Sequence, residues 1–178
     1  MTEAKTAIDV LITEKDIAGR VRTLAEDIAE KAGRDLFIVV ILKGSFVFAA
    51  DLIRALERAG VEAQVDFMTL SSYGAAKQSS GTVNLTRDIS ETVDGRDVLI
   101  VDDILESGRT LAYARDLMLE RGASSVSTCL LLDKAGKRTV DIEADFCGFE
   151  IGDRFVVGYG LDYAHRYRGL PYIGVLDG

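Results

Sequence analysis

The sequence predicts an α/β fold, a central, mostly parallel sheet with helices on both faces. Three observations carry this. Residues 36–42 and 98–101 are unbroken apolar runs, rich in β-branched residues, as strands covered on both faces require, and residues 126–132 read as another buried strand. Stretches with apolar residues at helical spacing alternate with these runs. The strand that starts near Asp97 stops in two carboxylates, a glycine turn and a new helical stripe, which suits the carboxyl end of a parallel strand.

The elements follow in order. Thr13 opens a helix with Asp16 as a capping-box-like partner, and Ile17, Val21, Leu24, Ala25 and Ile28 form its apolar stripe. Gly33 ends it. Residues 36–42 form a buried strand, Lys43-Gly44-Ser45 a turn, and residues 46–58 a second helix. Residues 65–70 form a strand, and residues 83–89 return as its hairpin partner. Between them, residues 71–82 are small and polar and read as a mobile functional loop. Asp94-Gly95 makes a turn before the central strand. After it, Leu111, Ala114, Leu117 and Met118 repeat at helical spacing. Strands follow at 126–132, 146–150, 155–159 and 172–176.

Composition narrows the function classes. The chain has 178 residues, 48% hydrophobic and 28% charged, which fits one soluble globular domain with a sizeable core. A net charge of −8 disfavours broad nucleic-acid binding and permits only a local basic site. The apolar run at 36–42 is far too short to span a membrane, so no membrane partner is expected. Residues 1–11 carry Glu3, Lys5 and Asp9 and have no apolar signal core, so a cytoplasmic location is expected. Cys129 and Cys147 match neither a disulfide framework nor a metal spacing, and Cys129 reads as strand packing. The lone His165 excludes a multi-histidine metal site within one chain.

Residues 97–111 carry the chemistry. Asp102 and Asp103 end a buried strand, and Ser107 can cap the helix that follows. Gly108 lets the backbone approach a ligand, and Arg109 and Thr110 add donors. A helix N-terminus presents unpaired N–H groups and a partial positive charge, so it can hold a phosphate. The carboxylates can accept hydrogen bonds from neighbouring sugar hydroxyls, and a magnesium ion would offset their repulsion. A cradle beside a carboxylate pair suits a sugar phosphate. Glu106 lies in the turn, where its side chain can face a bound substrate.

Asp102-Asp103-Ile104-Leu105-Glu106-Ser107-Gly108-Arg109-Thr110 resembles the phosphoribosyl-pyrophosphate (PRPP) motif of type I phosphoribosyltransferases. The family pattern is Glu-Asp-Ile-Ile-Asp-Thr-Gly-x-Thr, from which Asp102, Glu106 and Ser107 depart conservatively among the polar positions and Leu105 among the apolar ones. The rest of the chain, from about residue 12 to 176, is similar to the 6-oxopurine branch, the hypoxanthine phosphoribosyltransferases. The resemblance implies one domain over 1–178, with a small hood from about 1–12 and 145–178. It implies transfer of a 5-phosphoribosyl group from PRPP to N9 of hypoxanthine or guanine, giving IMP or GMP and pyrophosphate, with Mg2+ as cofactor. It also implies a homodimer or homotetramer.

The resemblance assigns residues as well. Residues 106–110 would take the 5′-phosphate, and Asp102 and Asp103 the ribose hydroxyls. Glu106 stands where the family places its base near purine N7. Lys43 and Gly44 match a pyrophosphate-binding turn with a cis peptide before the lysine, and Arg168 matches a pyrophosphate-binding arginine. Lys134 would read the 6-oxo group, Phe155 would stack on the purine, and the Val156 backbone would read its edge. Asp162 would hold the magnesium. Ser72 and Tyr73 match a closing lid. Lys137 and Arg138 read as ordinary solvated turn residues. Two other classes stay open on the residues: an RNA-binding regulator of the same fold, and a catalytically silent nucleotide-binding domain.

Overall fold

The computed structural model describes residues 8–72 and 82–176. A six-stranded sheet runs in the order β4-β3-β2-β5-β6-β7. Its strands are β2 (Asp35–Leu42), β3 (Glu62–Ser72), β4 (Val83–Arg87), β5 (Asp97–Leu105), β6 (Ser125–Asp133) and β7 (Phe146–Glu150). All neighbours are parallel except β4, which pairs antiparallel with β3 at the edge. Helices α1 (Glu14–Lys31), α2 (Phe46–Arg58) and α3 (Arg109–Glu120) cover the faces.

Alternation along the central strands explains the two cores. Leu36, Ile38 and Val40 of β2 join Leu99 and Val101 of β5 under α1 and α2. Phe37, Val39 and Ile41 join Val98 and Ile100 on the other face, with Leu111, Ala114 and Met118 of α3. Successive side chains point to opposite faces, so one apolar run fills both layers. Helix α1 starts as expected: Thr13 Oγ1 accepts from Asp16 N at 3.2 Å and donates to Asp16 Oδ2 at 2.6 Å. Its expected stripe is the buried one.

A separate antiparallel sheet joins β1 (Ile8–Ile12), β9 (Ile173–Leu176) and β8 (Val156–Val157), in that order. Strands from both ends of the chain thus form one small sheet. Phe146–Glu150, counted with the hood in the sequence reading, pairs instead with β6 and completes the large sheet. Several strand limits also differ from expectation: β5 runs on through Asp102 and Asp103 to Leu105, held by its pairing with β6 as far as Asp133, and β3 reaches Ser72, inside the stretch expected as a loop. Strand β3 begins at Glu62, before the apolar stretch, because it follows β2 in register from Asp35 onward. Strand β4 ends at Arg87, two positions short of Ile89, and β8 covers only Val156–Val157. Among the described residues, no helix is long and apolar enough to cross a membrane.

Candidate active site

Strands β2, β5 and β6 end on the same side of the sheet, and their C-terminal residues meet there. The Leu42–Lys43 peptide at the end of β2 is cis. Gly44 follows under Asp103: a Cβ on Gly44 would lie 1.7 Å from Asp103 Oδ2, so only glycine lets the two segments approach this closely. Ser45 is fully buried, and its hydroxyl donates to the Ile41 carbonyl, which tightens the turn before α2.

Near the end of β5, Asp102 is buried and Asp103 beside it is half-buried. Burial, and then the charge of Asp103, hold the Asp102 carboxyl well above the usual carboxylate range. Burial raises Asp103 too, against the hydrogen bond with Asp102, the Ile104 N–H and the positive Arg168. Each carboxylate accepts from the next backbone N–H, Asp103 N at 2.9 Å and Ile104 N at 2.8 Å.

The turn to α3 corrects one sequence expectation. The helix N-cap is Gly108, at φ 84°, and not Ser107. Ser107 Oγ lies one position earlier and accepts from Arg109 N at 3.3 Å. The left-handed conformation needs glycine, and a Cβ there would also meet Ile142 Cγ2 at 2.5 Å. Beyond Gly108, the first-turn N–H groups open on a cavity of about 300 Å³ lined by Lys43, Gly44, Asp102, Asp103, Glu106, Ser107, Gly108 and Thr110, among others. Arg109 lies outside this lining, and its Nε donates to Thr139 Oγ1 at 3.2 Å.

A second cavity of about 460 Å³ shares Lys43, Gly44, Asp103 and Glu106 with the first and adds Lys134, Phe155, Val156, Asp162 and Arg168. Lys134 is 5% exposed, and its Nζ lies 2.7 Å from Glu106 Oε1. Phe155 is 52% exposed for so large an apolar ring and meets Tyr163 edge-on at 5.6 Å. That leaves a ring face available to a flat ligand. Val156 is buried in β8, in register with Val175. Asp162 and Arg168 form an ion pair at 2.8 Å, and Asp162 Oδ2 also accepts from His165 N at 3.0 Å. Arg168 Nη1 donates to the Gly160 carbonyl at 2.6 Å.

The structure therefore brings together, along these two adjoining cavities, every expected site residue except Arg109 and the lid pair. Ser72 is the last residue of β3, where its backbone pairs with Val83. Tyr73 and most of the expected lid lie outside the described residues. Sequence reasoning missed Arg138. Its Nη1 donates to the carbonyls of Leu105 at 3.0 Å and Glu106 at 2.8 Å, and its guanidinium also pairs with Asp133. No local pattern marks this role, because the two carbonyls it holds lie about thirty positions upstream. Lys137, by contrast, is an exposed partner of Asp153, as expected. Cys129 is fully buried, which pushes its thiol up, and it packs in the core as expected.

A mostly parallel sheet with a glycine turn, an acidic pair and a lysine–carboxylate pair at its carboxyl edge fits a phosphoribosyltransferase, and the chain belongs to the phosphoribosyl transferase domain family, whose model matches residues 11–164. Within it, the chain is similar to the hypoxanthine phosphoribosyltransferase of Escherichia coli (strain K12), at 45% identity over 173 residues and 96% of each chain. Solved structures agree. A Staphylococcus aureus hypoxanthine phosphoribosyltransferase superposes with a TM-score of 0.88 at 42% identity, over 95% of this chain and 91% of that one. A hypoxanthine-guanine phosphoribosyltransferase from Bacillus anthracis gives 0.87 at 38% identity, over 98% and 100%.

Proposed function

We propose that this chain is a purine-salvage enzyme that transfers the 5-phosphoribosyl group of PRPP to N9 of hypoxanthine or guanine, releasing IMP or GMP and pyrophosphate. The observation that carries the reading is the buried Lys134 beside Glu106, a donor and a carboxylate at the wall where the phosphate cavity meets an exposed Phe155. The relatives act as further support.

Each residue then has a task. The first turn of α3, with Ser107 and Thr110, binds the 5′-phosphate through N–H groups and hydroxyls. Arg109 belongs to the same loop and steadies it through Thr139. Asp102 and Asp103 accept from the ribose hydroxyls, and these bonds favour the ionised forms that burial opposes. Lys43, the Gly44 backbone and Arg168 receive pyrophosphate. The purine stacks on Phe155, the Val156 backbone reads its edge, and Lys134 turns from Glu106 to donate to the 6-oxo group. Adenine carries a 6-amino donor there, so it meets Lys134 as donor against donor. Glu106, released near N7, takes or shares the proton lost as N9 attacks C1′. Positioning and charge stabilisation supply much of the rate. Ser72 and Tyr73 belong to a lid that would exclude water from the cation-like sugar.

The donor set fits a magnesium ion. Among the described residues no cluster of three or more protein ligands exists. One hard carboxylate at the cavity wall is enough, since magnesium takes most of its oxygens from substrate and water. Asp162 would hold it on giving up Arg168, which is then free for pyrophosphate. Bound there, the ion would neutralise charge on the departing pyrophosphate.

The hood and core form one catalytic domain over 1–178 in this reading, and family likeness supports a cytoplasmic homodimer or homotetramer. Sedimentation of the purified chain tests the assembly, and a monomer would contradict it. Pyrophosphate release in the presence of PRPP, magnesium and each of four purine bases tests the reaction. Release with an oxopurine is expected, and none with any base would refute it.

A further inference from the structure

Residues 105–107 turn three successive carbonyls to one side. The carbonyls of Leu105 and Glu106 accept from Arg138 Nη1, at 3.0 and 2.8 Å. Leu105 O also accepts from Lys134 N at 2.9 Å, and Ser107 O from Thr139 N at 2.9 Å and Val140 N at 3.1 Å. A trans peptide points its carbonyl and its N–H in opposite directions. The N–H groups of Glu106, Ser107 and Gly108 are therefore turned to the opposite side. That side is the cavity lined by Glu106, Ser107, Gly108 and Thr110, which none of residues 138–142 lines. Successive N–H groups facing one concavity form an anion nest.

One side chain joins this turn to the purine wall. Besides the two carbonyls, Arg138 Nε donates to Ile142 O at 3.1 Å, and its other guanidinium nitrogen pairs with Asp133, the residue before Lys134. The two side chains are only 19% and 16% exposed, so the fork is largely desolvated. Its four partners fix its plane, a geometry that a lysine ammonium cannot reproduce.

We propose that Arg138 is a positioning residue. It holds the turn so that its N–H groups face the phosphate, and through Asp133 it sets where Lys134 projects toward Glu106. The proposal rests on the PRPP reading above, and it adds a residue that touches no substrate.

The test compares Arg138→Lys and Arg138→Met with wild type and with Lys137→Ala, an exposed neighbour on the same segment. Calorimetry with PRPP and magnesium reads binding apart from turnover. Steady-state kinetics give KM for PRPP, KM for hypoxanthine and kcat, and thermal unfolding without ligand reads stability. We expect PRPP to bind on the order of tenfold to a hundredfold more weakly to Arg138→Met, with kcat also lower. Arg138→Lys should fold like wild type and still bind PRPP several-fold more weakly, while Lys137→Ala stays unchanged. A merely structural arginine would lower the unfolding temperature and leave PRPP affinity and kcat at wild-type values in both variants, and that result overturns the proposal. Wild-type protein that binds PRPP but transfers it to no base leaves the nest intact and sinks the base-transfer reading instead. Wild-type protein that binds no PRPP sinks both.

Discussion

Replacing Lys134 by Met keeps the side chain's length and apolar stem and removes its charge. The ammonium is buried, with a side chain 6% exposed, while its partner Glu106 is 43% exposed. These two numbers separate the effects on function and on stability. Toward a bound 6-oxopurine, the variant loses one charge-assisted hydrogen bond in a desolvated position, about 1.5–3 kcal/mol. That corresponds to roughly a 10- to 150-fold fall in kcat/KM. Toward stability, the lost ion pair has a half-exposed partner that water can solvate, so the cost is about 0–1 kcal/mol. For a domain of this size that lowers Tm by at most about 4 °C. Adenine gains nothing from Lys134, so its kcat/KM should hold or rise, and selection for oxopurines should fall by about the same 10- to 150-fold. The assay is pyrophosphate release with hypoxanthine and adenine in parallel, beside a thermal melt. An unchanged hypoxanthine-to-adenine ratio in a folded Lys134→Met protein would refute Lys134 as the selector.

Three other perturbations have defined outcomes. Glu106→Gln should slow turnover and leave PRPP affinity, read by calorimetry, within about twofold of wild type, and unchanged turnover would remove Glu106 as the base. Asp102→Asn should weaken PRPP binding yet stabilise the ligand-free protein at neutral pH. A carboxyl whose folded pKa is raised costs stability as pH climbs from its ordinary 3.8 through the raised value, so the Asn advantage in Tm should shrink toward pH 4. Asp66 has the opposite sign. Burial alone would raise it, but hydrogen bonds from Phe67 N, Ser90 N and Oγ, and Glu91 N hold its carboxyl below 3.8. Its contribution is therefore full above that value and lost as pH falls through the lower folded one, so Asp66→Asn should cost about 1–3 kcal/mol at pH 7 and flatten the acid limb of a Tm-against-pH curve.

Much of the large sheet was legible because single strands carry their own signal. The run Leu-Phe-Ile-Val-Val-Ile-Leu that ends β2 is apolar on both faces, so burial on both sides follows from the letters alone. The start of β3 was not legible, since Glu62 and Gln64 are polar and join the strand only through pairing with β2. The motif 102–110 gathered about half of the site by proximity in sequence, the ends of β2 and β6 were added by the rule that parallel strands deliver their carboxyl ends to one side, and Phe155, Val156, Asp162 and Arg168 came from the family resemblance. What stayed hidden depends on partners far away in the chain. Arg138 reads as a turn residue until the carbonyls of Leu105 and Glu106 arrive beside it. Gly108 takes the helix cap from Ser107 because it adopts the left-handed turn and Ile142 packs closely against it, and the Ile142 contact is not local to the motif.

The central claim is a reaction, and one measurement addresses it most directly: pyrophosphate release by the purified chain with PRPP and magnesium, offering hypoxanthine, guanine, xanthine and adenine in turn. The account predicts release with hypoxanthine or guanine and little with adenine. Release with adenine at the oxopurine rate would contradict the selection by Lys134, and no release with any base, while PRPP still binds, would contradict the assignment of this site as a 6-oxopurine phosphoribosyltransferase.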